Sequence, residues 1–386
     1  MLAVPHHSAS LSPVIHRPPT PLIAGQAMDD DITLLQDLKY LAKSQAGNKT
    51  SEKNTYHHVD PMADFGDRAF KSRYRMSKDS MLALLAMITD KLQEPKKTGR
   101  PPIPALTKLL ITIRFLAEGC FQTVGDNHGH PQSTVSRIVA EVCAAIASLA
   151  STLIVWPTGV ELAKTSTGFY EMITKRWPLA KAMPKVIGCI DGTQIRIAGH
   201  GLEDRENYRN RHGEVAINVQ AVCDHNLIFT NVVARWQGSA HDSRVFSESA
   251  IYGQLERDGL DGWLLGDAGY PLKRYLLTPL ANPQTRPEKA YQFAHVQTRN
   301  SIERAFGILK KRFELIGPDG GMVRLKTATA LDAITACFVL HNYLRNRDDH
   351  FEPDGQVAAN PPSLANLATG TTVTDMRKHV IQNFFS

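Results

Sequence analysis

The sequence predicts an α/β protein, a mixed-sheet domain preceded by an all-α segment. Three observations predict it. Apolar residues recur at helical spacing from Met81 to Ile146. The period changes at Pro184, and 185–197, 216–223 and 227–236 read as strands. Asp224-His225-Asn226 makes a tight turn between the last two, an antiparallel hairpin, before further helices and a short apolar strand at 263–266.

Taken in order, residues 1–66 are expected to be mostly disordered. Their first 28 positions are rich in Pro, His and Ser, and 45–65 are polar. One short amphipathic helix is expected between them, with Asp29, Asp30 and Asp31 at its N-terminus and Leu34, Leu35, Leu38 and Leu41 along it. Residues 67–155 read as helical. Ser77 is an N-cap for a helix carrying Met81, Leu84, Leu85, Ile88 and Leu92. The basic loop 95–102 contains Gly99-Arg100-Pro101, either a minor-groove contact of the AT-hook kind or a solvated connection. Helices are expected at 105–118, 120–126 and 131–149. The short middle helix, the turn Asp126-Asn127-His128-Gly129 and the longer helix form a helix-turn-helix pattern. That geometry puts Gln132, Ser133, Thr134 and Arg137 against DNA bases or backbone. A capped three-helix bundle fits the same residues. Residues 156–183 read as a connecting helix and 184–345 as the mixed-sheet domain, with helices at 240–256, 297–313 and 328–345. Residues 346–386 read as a linker and a final helix.

The chain has 386 residues and a formal net charge of +6, and basic chains favour polyanions. Its five cysteines lie far apart with no CxxC pair, which argues against a zinc ribbon or disulfide scaffold and fits free thiols in the cytosol or nucleus. No signal peptide is expected, because Pro5 and Pro13 interrupt the start. No membrane association is expected either, since the apolar stretches are short or broken by Lys108 and Arg114.

Four carboxylates are candidates for chemistry. Asp191 follows the apolar run Val186 to Ile190 within a strand, where an unpaired charge costs several kcal/mol. Asp267 ends a buried strand, a favoured ligand position in α/β sheets, though a turn Asp between Gly266 and Gly269 is the simpler reading. Glu303 lies on a basic helix four residues after Arg299 and could be its salt-bridge partner. Asp242 ends Ser239-Ala240-His241-Asp242, which has the form of a capping box. Together such oxygens suit Mg²⁺ or Mn²⁺, and two ions about 4 Å apart would activate a nucleophile and stabilise the leaving oxygen of a phosphodiester. Arg299, Lys310 and Lys311 would hold the backbone of double-stranded DNA.

A series of segments in fixed order resembles the PIF/Harbinger transposases, especially the Harbinger transposase-derived nucleases. The segments are RFLAEGCFQTVGDNHG (114–129), STVSRIV (133–139), VIGCIDGTQI (186–195), YRNRHG (208–213), INVQAVCD (217–224), GSAHDSRVF (238–246), LLGDAGYPL (264–272), RNSIERAFGILKKRF (299–313) and LHNYL (340–344). The resemblance implies an RNase H-like catalytic domain preceded by a helix-turn-helix. It also implies a DDE site of Asp191, Asp267 and Glu303 binding a divalent metal, with Asp242 as an additional ligand. Nuclear localisation, also with cytoplasmic presence, and a Myb-like DNA-binding partner are implied too, and a homo-oligomer is compatible with it. The alternative is a domesticated, catalytically silent DNA-binding regulator. The sequence departs from the family pattern at His212, where a lysine is usual, and at Gln237, where a proline is.

Overall fold

A computed structural model of the chain describes residues 60–92, 102–199, 202, 204–258, 261–351 and 374–386. The N-terminal disorder and amphipathic helix expected before residue 60, the Gly99-Arg100-Pro101 loop and most of the 346–370 linker lie outside these residues.

Helices that lead into the sheet include α1 (Asp67–Tyr74), α2 (Lys78–Ile88), α3 (Ala105–Glu118), α4 (Phe121–His128) and α5 (Gln132–Ala147). The expected cap at Ser77 is present, its hydroxyl accepting from the Ser80 N–H at 3.1 Å. Gly119 and Gly129 end α3 and α4 in the left-handed conformation. Gly125 lies where a Cβ would come within 2.6 Å of the His130 carbonyl, so only glycine lets α4 turn this closely into α5. Val135, Ile138, Val139, Val142 and Ile146 form the buried stripe of α5. The stretch Gln132–Leu153 is long and apolar enough to cross a bilayer by length and composition, contrary to expectation, but that stripe belongs to the apolar core. Helix α6 (Gly159–Arg176) then packs on the first strand.

The sheet contains β1 (Val186–Arg196), β2 (Ala216–Cys223), β3 (Phe229–Gln237), β4 (Trp263–Leu265) and β5 (Leu276–Leu277), in the order β3-β2-β1-β4-β5. The first three are antiparallel; β4 runs parallel to β1, and β5 parallel to β4. The β2–β3 turn is held by the Asp224 carboxylate, which accepts from the N–H groups of Asn226 (2.9 Å) and Ile228 (2.8 Å).

One side of the sheet meets α9 (Arg286–Arg312) and α10 (Thr327–Asn346), with Cys189, Ile195, Val219 and Ala221 joining Ile302, Leu309, Phe338 and the helices α1–α5 in one core. On the other side Ile187, Ile190, Val222 and Leu264 pack with Phe246, Ile251 and Leu255 from α7 (Asp242–Ser247) and α8 (Ala250–Asp258). A single helix was expected over 240–256. Ser249 divides it: its hydroxyl donates to the Phe246 carbonyl at 2.6 Å and accepts from the Tyr252 N–H at 3.3 Å. Helix α9 starts eleven residues before the expected position. Thr285 and Glu288 form a reciprocal capping box there. The final segment is α11 (Thr374–Val380) followed by a π-helical turn, Ile381–Phe385, whose Phe385 packs on Tyr291.

Candidate active site

Strand register accounts for the first pair of carboxylates. Cys189 of β1 pairs in parallel with Leu265 of β4. Asp191 is two residues beyond Cys189 and Asp267 two beyond Leu265, so the two acids emerge side by side at the C-terminal end of β4. That end of a parallel pair is where α/β sheets place ligands. Asp267 is held in a turn in which its Oδ1 accepts the Gly269 N–H at 2.9 Å. The turn reading and the site reading therefore describe the same residue.

Asp242 joins them from the opposite side of β1. The capping-box reading of Ser239 to Asp242 does not hold: His241 is the N-cap of α7 and makes no side-chain cap, while the Ser239 hydroxyl donates to the Asn207 carbonyl at 2.6 Å. Asp242 is left to accept from the Asn218 amide at 3.2 Å. Its carboxylate occupies the space a side chain at position 192 would need, since a Cβ on Gly192 would collide with Asp242 Oδ1. Gly192 is what brings Asp242 up to β1.

Glu303 approaches from α9, through an intermediary. Arg299 and Glu303, one helical turn apart, face β1 together. The Arg299 guanidinium donates to Asp191 Oδ2 at 2.7 Å and to Glu303 Oε1 at 2.6 Å. Arg299 is 6% exposed, so it cannot serve as the backbone contact expected for it. Of the other expected basic contacts, Lys311 is exposed and paired with Asp319 at 2.8 Å. Lys310 lines a cavity of about 370 Å³ with Gln194, Arg196 and Glu214. Its ammonium is pushed down to about 8, chiefly by burial and then by Arg196. Gln132, Ser133 and Arg137 are exposed on the first turns of α5, and Thr134 is half-buried.

The electrostatics are those of crowded acids. Asp191 is pushed up to about 7, first by burial, with Asp267 and Asp242 adding to it and Arg299 and the Gly192 N–H opposing it. Asp242 is also raised, by burial, against the Asn218 bond and with Asp267 reinforcing the shift. Tyr270, buried beside them, is held well above its ordinary value by burial and then by Asp242, Asp191 and Asp267. Its hydroxyl donates to Gln220 Oε1 at 3.4 Å. For Arg299, burial works against the charge, and Asp191, Glu303 and Asp267 more than offset it.

The donors fit a hard divalent cation. All four are carboxylates, Asp267 and Asp242 add to the proton affinity of Asp191, Asp267 adds to that of Asp242, and Glu303 Oε2 is buried without a hydrogen-bond partner. Among the described residues, however, no three His, Cys, Asp or Glu side chains stand together as a ready-made ligand group. Sequence reasoning missed Tyr270, Asn218 and Gln220. The signal for the last two was two amides in the otherwise apolar run INVQAVC, every residue of which is buried.

Residues 190–342 match the family model described as DDE superfamily endonuclease. The chain is 32% identical over 283 residues to the human protein named "Putative nuclease HARBI1", covering 72% of this chain and 78% of that one. The Xenopus laevis protein of the same name is 27% identical over 288 residues, 74% of this chain and 80% of that one. The Arabidopsis thaliana "Protein ALP1-like" is 24% identical over 304 residues, 73% and 72% of the two chains. No solved structure matches.

Proposed function

Since this chain belongs to the DDE superfamily endonucleases, in the branch of the Harbinger transposase-derived nucleases, we propose that it is a metal-dependent endonuclease hydrolysing DNA phosphodiester bonds at Asp191, Asp267 and Glu303. The observation that carries this reading is the parallel register that sets Asp191 beside Asp267, with Glu303 linked to Asp191 through Arg299. The strand order, with three antiparallel strands continued by two parallel ones, supports an RNase H-like fold for the catalytic part.

In this reading Asp191, Asp267 and Glu303 hold Mg²⁺ or Mn²⁺, with Asp242 as an additional ligand. Bound ions would supply an activated water or 3′-hydroxyl and charge neutralisation at the leaving oxygen, the two-metal chemistry of phosphodiester cleavage with strand transfer open to it. The protein's own residues prepare the site. Asn218 orients Asp242 from β2. The Gly192 N–H donates to Asp191 Oδ1 at 2.9 Å and fixes that carboxylate. Tyr270 keeps its proton and lies buried beside the acid cluster. Helix α4, the turn at Gly129 and α5 then form a helix-turn-helix that presents Gln132, Ser133, Thr134 and Arg137 to double-stranded DNA, with Lys310 and Lys311 serving the backbone. A nuclear location and a separate Myb-like DNA-binding partner belong to this reading.

The test is cleavage of supercoiled DNA by the purified chain with Mg²⁺, with Mn²⁺ and with chelator. Nicking that depends on the ion is expected; equal cutting in chelator rejects the reading. One observation favours a second reading, a silent DNA-binding regulator: Glu303 and Asp191 are both engaged by Arg299. That reading expects salt-dependent DNA binding, no nicking with either ion, and no effect of losing Asp191 on binding.

A further inference from the structure

We propose that Arg299 is a built-in stand-in for a divalent cation, its guanidinium joining Asp191 to Glu303 in the metal-free protein and yielding that place when metal binds. The inference rests on the reading of these carboxylates as metal ligands, and it concerns what controls access to them.

Several observations converge on it. The guanidinium forks between one acid on β1 and one on α9, with contacts of 2.7 and 2.6 Å, the short range of charge-assisted bonds. The three side chains are 7%, 16% and 17% exposed, so water has little access to separate them. Each oxygen of Asp191 accepts one hydrogen bond, Oδ1 from the Gly192 N–H and Oδ2 from Arg299. A cation that takes Asp191 Oδ2 and Glu303 Oε1 must therefore compete with Arg299 for them. It also meets a neighbouring positive charge that cannot be shed, because arginine stays protonated at any working pH. The bridge explains why four crowded carboxylates do not converge as a ready ligand group: two of them already face a cation. Glu303 also keeps an oxygen that the bridge does not use. Arg299 Nε and Glu303 Oε2 are both buried without hydrogen-bond partners.

The bridge makes metal affinity a difference between two cations' claims on the same oxygens. It holds the acids in place and lowers their repulsion while metal is absent, and it sets a threshold of ion concentration for loading the site.

The test uses the full chain without DNA and Mn²⁺ alone as the probe, by calorimetry or by the spin-resonance signal of free ion. Arg299→Gln is expected to bind Mn²⁺ at least tenfold more tightly than the wild type and to melt at a lower temperature when metal-free. Arg299→Lys, whose single ammonium cannot fork, should fall between the two. Asp191→Asn should abolish binding in the wild-type and Arg299→Gln backgrounds alike. If Asp191→Asn binds Mn²⁺ as the wild type does, the carboxylate site itself is misassigned. If Asp191→Asn loses binding but Arg299→Gln and Arg299→Lys gain none, Arg299 is scaffold and the proposal is overturned. Should Arg299→Gln not fold, the wild type labelled with ¹⁵N-arginine gives a second measurement. The guanidinium signal absent from Arg299→Lys should move on saturation with Mg²⁺, and an unmoved signal overturns the proposal.

Discussion

Two helices reach into the same side of this sheet with buried polar side chains, and they do so differently. At the hairpin edge, α10 presents Asn342, wholly buried, whose amide accepts from the Phe229 N–H at 2.8 Å and donates to the Phe229 and Leu153 carbonyls at 2.7 and 2.8 Å. Its neighbour His341 meets the Leu227 carbonyl through Nε2 at 2.8 Å and keeps Nδ1 buried without a partner. These groups are neutral, and they join α10 to the β2–β3 turn and to the chain after α5. At the sheet centre, α9 presents Arg299 and Glu303 to Asp191, beside Asp267 and Asp242. There acids outnumber the guanidinium that faces them, and buried atoms are left without partners. Buried polarity that is neutral is architecture. Buried polarity with excess charge costs stability, and a fold retains it where the site has another use.

The comparison can be broken first at the neutral end. Asn342→Ala leaves the Phe229 N–H and two carbonyls buried without partners, and a loss of about 3 kcal/mol is expected in denaturant unfolding. The folded fraction should still bind Mn²⁺ with wild-type affinity. A loss under about 1 kcal/mol would mean that water readily replaces the amide, and the contrast between the two regions would weaken.

A smaller effect sharpens the same contrast through pH. His341 and His295 are buried, and burial is the main cause that lowers both to about 3. Each is neutral in the folded chain and titrates near its ordinary value of about 6.5 when unfolded. Their contribution is therefore fully present above about pH 6.5 and is lost as pH falls toward 3. Asp191, raised to about 7, works in the opposite direction in metal-free protein, so the useful quantity is a difference between variants. Between pH 7 and 5 the wild type should lose about 2 kcal/mol more than His341→Gln, which cannot take up a proton. Equal losses would show that His341 is not held neutral by the fold.

The sequence was most legible where one local rule governs. Strand 216–223 follows from its largely apolar run and a turn signal, and Ser77 caps α2 as its position implies. The first eleven residues of α9 were missed because polar Arg286, Glu288, Lys289 and Gln292 hide an inward face made of Tyr291 and His295. That face is fixed by bonds to the Thr278 and Leu277 carbonyls at 2.9 and 3.2 Å. Asp191, Asp267 and Glu303 could be singled out from strand ends and helix phase. That Arg299 stands between two of them could not, because Asp191 is 108 residues away and its approach depends on how α9 lies on β1. The capping-box reading of Asp242 failed for a similar reason. The space beside Gly192 and the Asn218 amide decide that residue's environment, and both belong to other strands.

The most direct test of the proposed catalytic centre is the nicking of supercoiled DNA in Mg²⁺ by the wild type, Asp191→Asn, Asp267→Asn and Glu303→Gln, each first shown to be folded. If these three side chains carry the chemistry, each change lowers the rate by about a thousandfold or more, of the order of 4 kcal/mol in the barrier. Folded variants that cut at the wild-type rate would contradict it.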